Sequence, residues 1–162
     1  MTNFPWLSVI TFAPMIGVLF ILLIRGNPEV EARNTRAVAL WTSLITFAVS
    51  MGIWVKFDNA IVGFQFEEKA VWMESLGLAY HLGVDGISMF FILLSTLLTV
   101  LCIAASWISI TDRVKEYMIS FLVLETLMIG MFSALDLVLF YVFFEGVLIP
   151  MFLIIGVWGG PR

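Results

Sequence analysis

The sequence is poor in the residue types on which most soluble chemistry depends. It holds one cysteine, Cys102, and one histidine, His81. A single cysteine inside an apolar run excludes a disulfide framework and the thiolate set of an iron–sulfur cluster. A single histidine outside the apolar runs leaves no axial ligand for a haem at membrane depth. It makes a metal site with Asp85 a weaker reading than a plain helix start, at which Asp85 or Ser88 caps the free N–H groups. No glycine-rich phosphate loop is present. No basic tract points to nucleic acid. Charged residues are scarce, at 12%, against 62% apolar, where soluble domains run at about 25% and about 45–50%. The net charge of −4 says little about partners, because Asp58, Glu67, Glu68, Glu74 and Asp85 cluster in one loop. The first basic residue, Arg25, follows the first apolar run rather than preceding it, which is not the pattern of a cleavable signal.

What is present is a set of long apolar runs. They cover residues 4–24 (interrupted by Pro14, with Gly17 a turn later), 37–55, 87–110, 117–134 and 137–158. At a rise of about 1.5 Å per residue each spans roughly 30 Å, the thickness of a bilayer core. The predicted fold is therefore an all-α polytopic membrane protein with five transmembrane helices in one membrane-embedded region, 1–162. Arg25–Arg36 reads as a polar link and Thr111–Glu116 as a tight charged turn. The loop 56–86 contains Ile61–Phe66 and Leu78–Leu82, rich in aromatic and branched residues, with Trp72 and Glu74 between them. These predict two short strands forming a hairpin at the interface. Gly159-Gly160-Pro161 predicts a helix stop before Arg162. Arg25, Arg33, Arg36, Arg113, Lys115 and Arg162 fall on one side of the spans, Lys56 and Lys69 on the other. The positive-inside rule then places the N-terminus outside.

The polar residues within the spans carry the functional reading. Ser88, Ser95, Thr99, Cys102 and Ser106 fall on one face of the third span at helical spacing. Such a face is either a helix–helix contact or the wet lining of a half-channel, and the contact is the simpler reading. Thr42, Thr46 and Ser50 repeat the pattern in the second span. Glu125 lies in the fourth span and Glu145 in the fifth. A carboxylate at mid-bilayer costs about 2.5–3.5 kcal/mol on insertion scales, so it signals function by default. A very short link around Asp136 makes these two spans antiparallel neighbours. It puts both acids about 12–14 Å from the link, hence at similar depth. Were they to face one another, a proton shared between them would make a proton-carrying pair. Pro150 removes a backbone donor and frees the carbonyl of Gly146, beside Glu145. Gly146 also leaves room next to the acid, and Tyr141, one turn earlier, is placed to donate a hydrogen bond to it. Glu145 is the expected proton carrier and Glu125 a second relay candidate. No Lys, Arg or His lies within any span, so a cation to pair with Glu145 must come from outside these residues.

Two segments resemble a known family. His81–Ser106, HLGVDGISMFFILLSTLLTVLCIAAS, is similar to the start of the third helix in the antiporter-like subunits of proton-pumping NADH:quinone oxidoreductase, respiratory complex I. Ser133–Gly160, SALDLVLFYVFFEGVLIPMFLIIGVWGG, resembles their fifth helix, an acid followed by a Pro-Met pair. Within the family the two segments look like the chain M branch, the bacterial counterpart of mitochondrial subunit 4. The resemblance implies a protein of about fourteen helices, of which this chain matches the first third. It also implies that Glu145 corresponds to a fifth-helix glutamate paired with a lysine on a later helix, and Glu125 to a fourth-helix glutamate. It places FMN, the iron–sulfur clusters and quinone in other subunits, and gives no cofactor to this chain. The implied partners are the other membrane subunits, neighbouring antiporter-like ones above all, and the lipid bilayer. The implied location is a bacterial inner membrane with a periplasmic N-terminus. A related multisubunit cation/proton antiporter, or a membrane-bound hydrogenase arm, would share these helices. A purely structural membrane scaffold would use Glu125 and Glu145 for packing alone.

Overall fold

In the computed structural model the described residues are 5–58, 60, 63–73, 75, 78–111 and 113–158. Five helices and one hairpin follow in chain order: α1 (Trp6–Leu23), α2 (Pro28–Lys56), β1 (Gln65–Met73), β2 (Leu78–Val84), α3 (Gly86–Ser109), α4 (Val114–Ser133) and α5 (Leu137–Trp158). All five helices are long and apolar enough to cross a membrane. Their outer faces carry exposed Ile16, Leu19, Ile45, Phe90 and Leu101. That inverts the soluble pattern and suits contact with lipid tails. The chain is a multi-pass membrane protein. The Gly-Gly-Pro stop expected before Arg162 lies outside the described residues, as do Ile61 and Glu74.

Two stretches differ from the sequence reading. The segment 25–36 is not a polar link through its length: α2 already begins at Pro28. Asn27 accepts a hydrogen bond from the Val30 N–H at 3.0 Å. Pro28 occupies the first turn, and Glu29 and Glu31 oppose the positive end of the helix dipole. This start lies outside the apolar run, where hydropathy is blind to it. α4 likewise starts at Val114, so Lys115 and Glu116 belong to its first turn. The hairpin forms, but β1 runs over Gln65–Met73 rather than 61–66, with Trp72 inside the strand. It pairs antiparallel with β2, setting Lys69 opposite His81 and Glu68 opposite Leu82.

α1 to α4 form a bundle, and α5 packs on its outside, chiefly against α4. The core is divided along the bundle axis. At the hairpin end one apolar cluster joins Leu7, Ile10, Ile53, Met89, Ile92 and Ile129. At the far end another joins Val18, Ile21, Ala39, Ile103, Met118 and Leu122. Between the clusters each bundle helix buries polar groups instead. They are Thr11 on α1, Ser43, Thr46 and Ser50 on α2, Ser95, Thr96 and Thr99 on α3, and Glu125 and Thr126 on α4. Small residues allow the close approach this needs. A side chain at Gly17 would collide with Thr42 across the α1–α2 contact.

The hairpin ties together the helix ends on its own side of the bundle. Pro5 supplies no side-chain cap for α1. The carboxylate of Glu68 on β1 takes that role, accepting from the N–H groups of Leu7 at 2.8 Å and Ser8 at 3.0 Å, and from the Ser8 hydroxyl. The Tyr80 hydroxyl bonds the same serine at 2.7 Å, and burial pushes its phenol up. Asp85 caps α3 through the Ser88 N–H at 2.8 Å. That bond holds its carboxyl below the usual carboxylate range. Asp136 opens α5 and accepts from the Ala79 N–H of β2 at 2.8 Å. At the opposite end Lys115 reaches the Ile24 carbonyl at 3.2 Å and Arg36 the Ile110 carbonyl at 2.9 Å. Both cations therefore sit at helix C-termini, where the dipole favours them.

Candidate functional site

The two mid-helix carboxylates share a level but face opposite ways. Glu125 lies on α4 between Leu122 of the far cluster and Ile129 of the hairpin-end cluster, and it is 1% exposed. Glu145 lies on α5 beyond Phe143 of the hairpin-end cluster and before Ile154, which packs on the far one. The buried stripe of α5 is Leu139, Phe143, Val147 and Pro150. At about 100° per residue Glu145 falls on the other side of the helix, and it is exposed. The structure therefore does not bring the two acids together. Steric fit at the α4–α5 contact determines this rotation. Phe143 fills the space over Gly130, where an added Cβ would sit 2.5 Å from the ring, and Leu127 closes on Gly146, where it would sit 3.0 Å from the side chain.

Glu145 shares its outward stripe with Tyr141, which is 59% exposed. Among the described residues neither has a hydrogen-bond partner, so the bond anticipated from Tyr141 to Glu145 is not formed. Gly146 and Pro150 flank the acid from the α4 side, Pro150 buried within the helix. Pro150 offers no N–H, so the Gly146 carbonyl is without its helical donor. The site that α5 presents is thus a carboxylate, a phenol and a loosened backbone turn on one helix, facing away from the bundle.

Glu125 is enclosed. Among the described residues neither of its oxygens has a hydrogen-bond partner, and the same holds for the hydroxyls of Thr11 and Thr126. Thr11 was not singled out by the sequence, and no local pattern marks it. Only the packing of α1 on α4 brings it into the layer of Glu125. Most other hydroxyls of the layer are spoken for. Ser95 bonds the Phe91 carbonyl and Thr99 the Ser95 carbonyl, each at 2.9 Å, and Ser50 joins Thr96 at 3.0 Å across α2 and α3. Ser95 and Thr99 are both buried on α3. Ser106 bonds the Tyr117 hydroxyl at 2.6 Å. Cys102 departs from the set and is exposed on the outer surface. His81 faces Glu67 across the hairpin at 3.4 Å rather than Asp85. Among the described residues no cluster of three metal-ligating side chains occurs.

No family model matches the chain. It is 54% identical over 157 residues to NADH-quinone oxidoreductase subunit M of Rhodobacter capsulatus, covering 96% of this chain and 30% of that protein. It is 49% identical over 156 residues to NADH-ubiquinone oxidoreductase chain 4 of Chondrus crispus, covering 96% and 31%. Against subunit M of Rickettsia prowazekii it is 42% identical over 162 residues, covering 100% and 33%. The chain spans about a third of the length of these relatives. Its fold is similar to a chain in respiratory complex I from Thermus thermophilus with bound NADH, at a TM-score of 0.75 and 24% identity, covering 96% of this chain and 30% of that one.

Proposed function

On the premise that this chain is homologous from end to end to NADH-quinone oxidoreductase subunit M and NADH-ubiquinone oxidoreductase chain 4, we propose that it is part of a proton-translocating membrane subunit of an NADH:quinone oxidoreductase. In this reading the chain does no redox chemistry. Flavin, iron–sulfur clusters and quinone belong to partner subunits, with which it assembles in a bacterial inner membrane, N-terminus outward.

The observation that carries the reading is Glu145. It is a carboxylate at the middle level of α5, exposed on the face that the bundle leaves uncovered. Bare exposure to lipid is costly at that depth. A cation from outside these residues covers it, and the protonation of Glu145 follows the approach and withdrawal of that charge. A water donating to both the freed Gly146 carbonyl and the carboxylate hydrates the acid, and Tyr141 lies on the same outward stripe without bonding it. Moving one charge across 100 mV corresponds to about 2.3 kcal/mol, within reach of a modest electrostatic swing at a desolvated acid. Glu125, buried in the polar layer of the bundle, is the second protonatable group and makes no direct contact with Glu145.

The reading is tested by affinity purification of the full-length protein from its native membrane in mild detergent. NADH-oxidising activity, bound flavin and iron–sulfur absorbance are expected to co-purify. Recovery of the protein with other membrane subunits but with none of these would favour an antiporter assembly and refute the assignment.

A further inference from the structure

The polar layer between the two apolar clusters holds a carboxyl group that the pairing of Glu145 does not use. Thr11 and Pro14 of α1, Thr46 of α2, Thr99 of α3, and Glu125 and Thr126 of α4 are all buried in it. The α2 and α3 hydroxyls bond to carbonyls of their own helices, Thr46 to Thr42 at 2.8 Å and Thr99 to Ser95 at 2.9 Å. On α1 and α4 the accounting does not close. Both Glu125 oxygens and the Thr11 and Thr126 hydroxyls are buried with no partner among the described residues. Pro14 adds a further acceptor, because it cannot donate to the Ile10 carbonyl one turn earlier. Lys115 of α4 reaches the Ile24 carbonyl at the end of α1. Counting back from that contact at about 1.5 Å per residue puts Pro14 and Glu125 each about 15 Å along their helices, at one level. Buried polar groups in folded proteins are almost always satisfied, by protein or by internal water, and a buried water makes about three hydrogen bonds.

We infer that the α1–α4 bundle contains an internal water site at mid-membrane, bound by Glu125, Thr11 and Thr126 and bordered by the Pro14 break in α1, and that Glu125 exchanges its proton with that water. The apolar clusters above and below close it toward both surfaces. The packing of Gly130 on Phe143 and of Leu127 on Gly146 separates it from Glu145. The site does not rest on a cation covering Glu145 and would exist without one.

Infrared difference spectroscopy of the full-length protein in its native membranes, on transfer from H2O to D2O, tests this. The carboxylic-acid C=O band that disappears in Glu125→Gln is expected to shift in D2O within minutes. The Thr11→Val/Thr126→Val double variant keeps side-chain volume and removes both hydroxyls. It is expected to slow that shift by tenfold or more. Glu145→Gln is expected to leave the band and its exchange unchanged. A Glu125 band that does not exchange over hours, or the absence of any band specific to Glu125, would overturn the water site. So would a double variant whose band exchanges at the wild-type rate. These outcomes concern Glu125 alone and leave the Glu145 reading standing or falling on its own assay.

Discussion

Replacing Glu68 with alanine should loosen the start of α1, sixty residues away in sequence. Glu68 is the only side chain that caps this helix among the described residues, and it accepts from two backbone N–H groups and one hydroxyl. A hydrogen bond to a charged group contributes about 1.5–3 kcal/mol, and loss of an N-cap costs about 0.5–2 kcal/mol. Glu68 is only partly buried, so water recovers some of the loss on truncation. A net weakening of about 2 kcal/mol is the reasonable figure. Because 1.4 kcal/mol is a factor of ten, hydrogen exchange at the Leu7 and Ser8 amides should accelerate roughly thirty-fold. Amides in the middle of α1 should move much less, because their partners lie within the helix. Glu68→Gln retains an acceptor oxygen and should produce a smaller increase. The assay is amide exchange of the full-length protein in detergent, read by mass spectrometry on peptides covering residues 5–14. Unchanged exchange in Glu68→Ala would show that α1 needs no remote cap and that Pro5 does not leave its first turn to the hairpin.

Gly146→Val places methyl groups into the contact with Leu127, already 3.0 Å from an added Cβ. It should lower the detergent thermal-unfolding stability by about 1–3 kcal/mol, and Leu127→Ala in the same chain should recover part of that. Asp85 gives a pH signature. Its folded carboxyl is held below its usual value by the Ser88 N–H. Its contribution is therefore fully present above the ordinary aspartate range and lost as pH falls through the lowered value. Asp85→Asn should flatten that part of the acid limb of a stability-versus-pH profile, and an identical limb in the variant would contradict it.

The five long helices were legible because a bilayer demands continuous apolar runs, and little else in a sequence looks like them. The start of α2 was not, because residues 28–36 are polar and lie beyond the apolar run. Its signal was present in a different form, the Asn27-Pro28 cap followed by Glu29 and Glu31. The first strand lies elsewhere because Glu67, Glu68 and Lys69 look like loop, whereas the pairing of Glu68 and Lys69 with β2 and the clasp of Glu68 on α1 make this stretch strand. Depth along a helix could be counted from the sequence, so Glu125 and Glu145 were set at one level. Rotation could not. α5 is apolar on all sides, and no stripe distinguishes its inward face. That choice falls to two glycines, Gly130 and Gly146, each received by a bulky side chain on the opposing helix, and such pairing is visible only once the helices are together. The unpartnered hydroxyl of Thr11 was hidden for the same reason.

If Glu145 carries protons for an assembly driven by NADH, neutralising it stops transport. The measurement that bears on it most directly is NADH-driven acidification of inverted membrane vesicles containing the full-length protein with Glu145→Gln, compared with wild type and Glu145→Asp at equal assembly. Glu145→Gln is expected to lose at least nine-tenths of the proton transport and Glu145→Asp to retain a substantial part. Wild-type acidification by Glu145→Gln vesicles would contradict it.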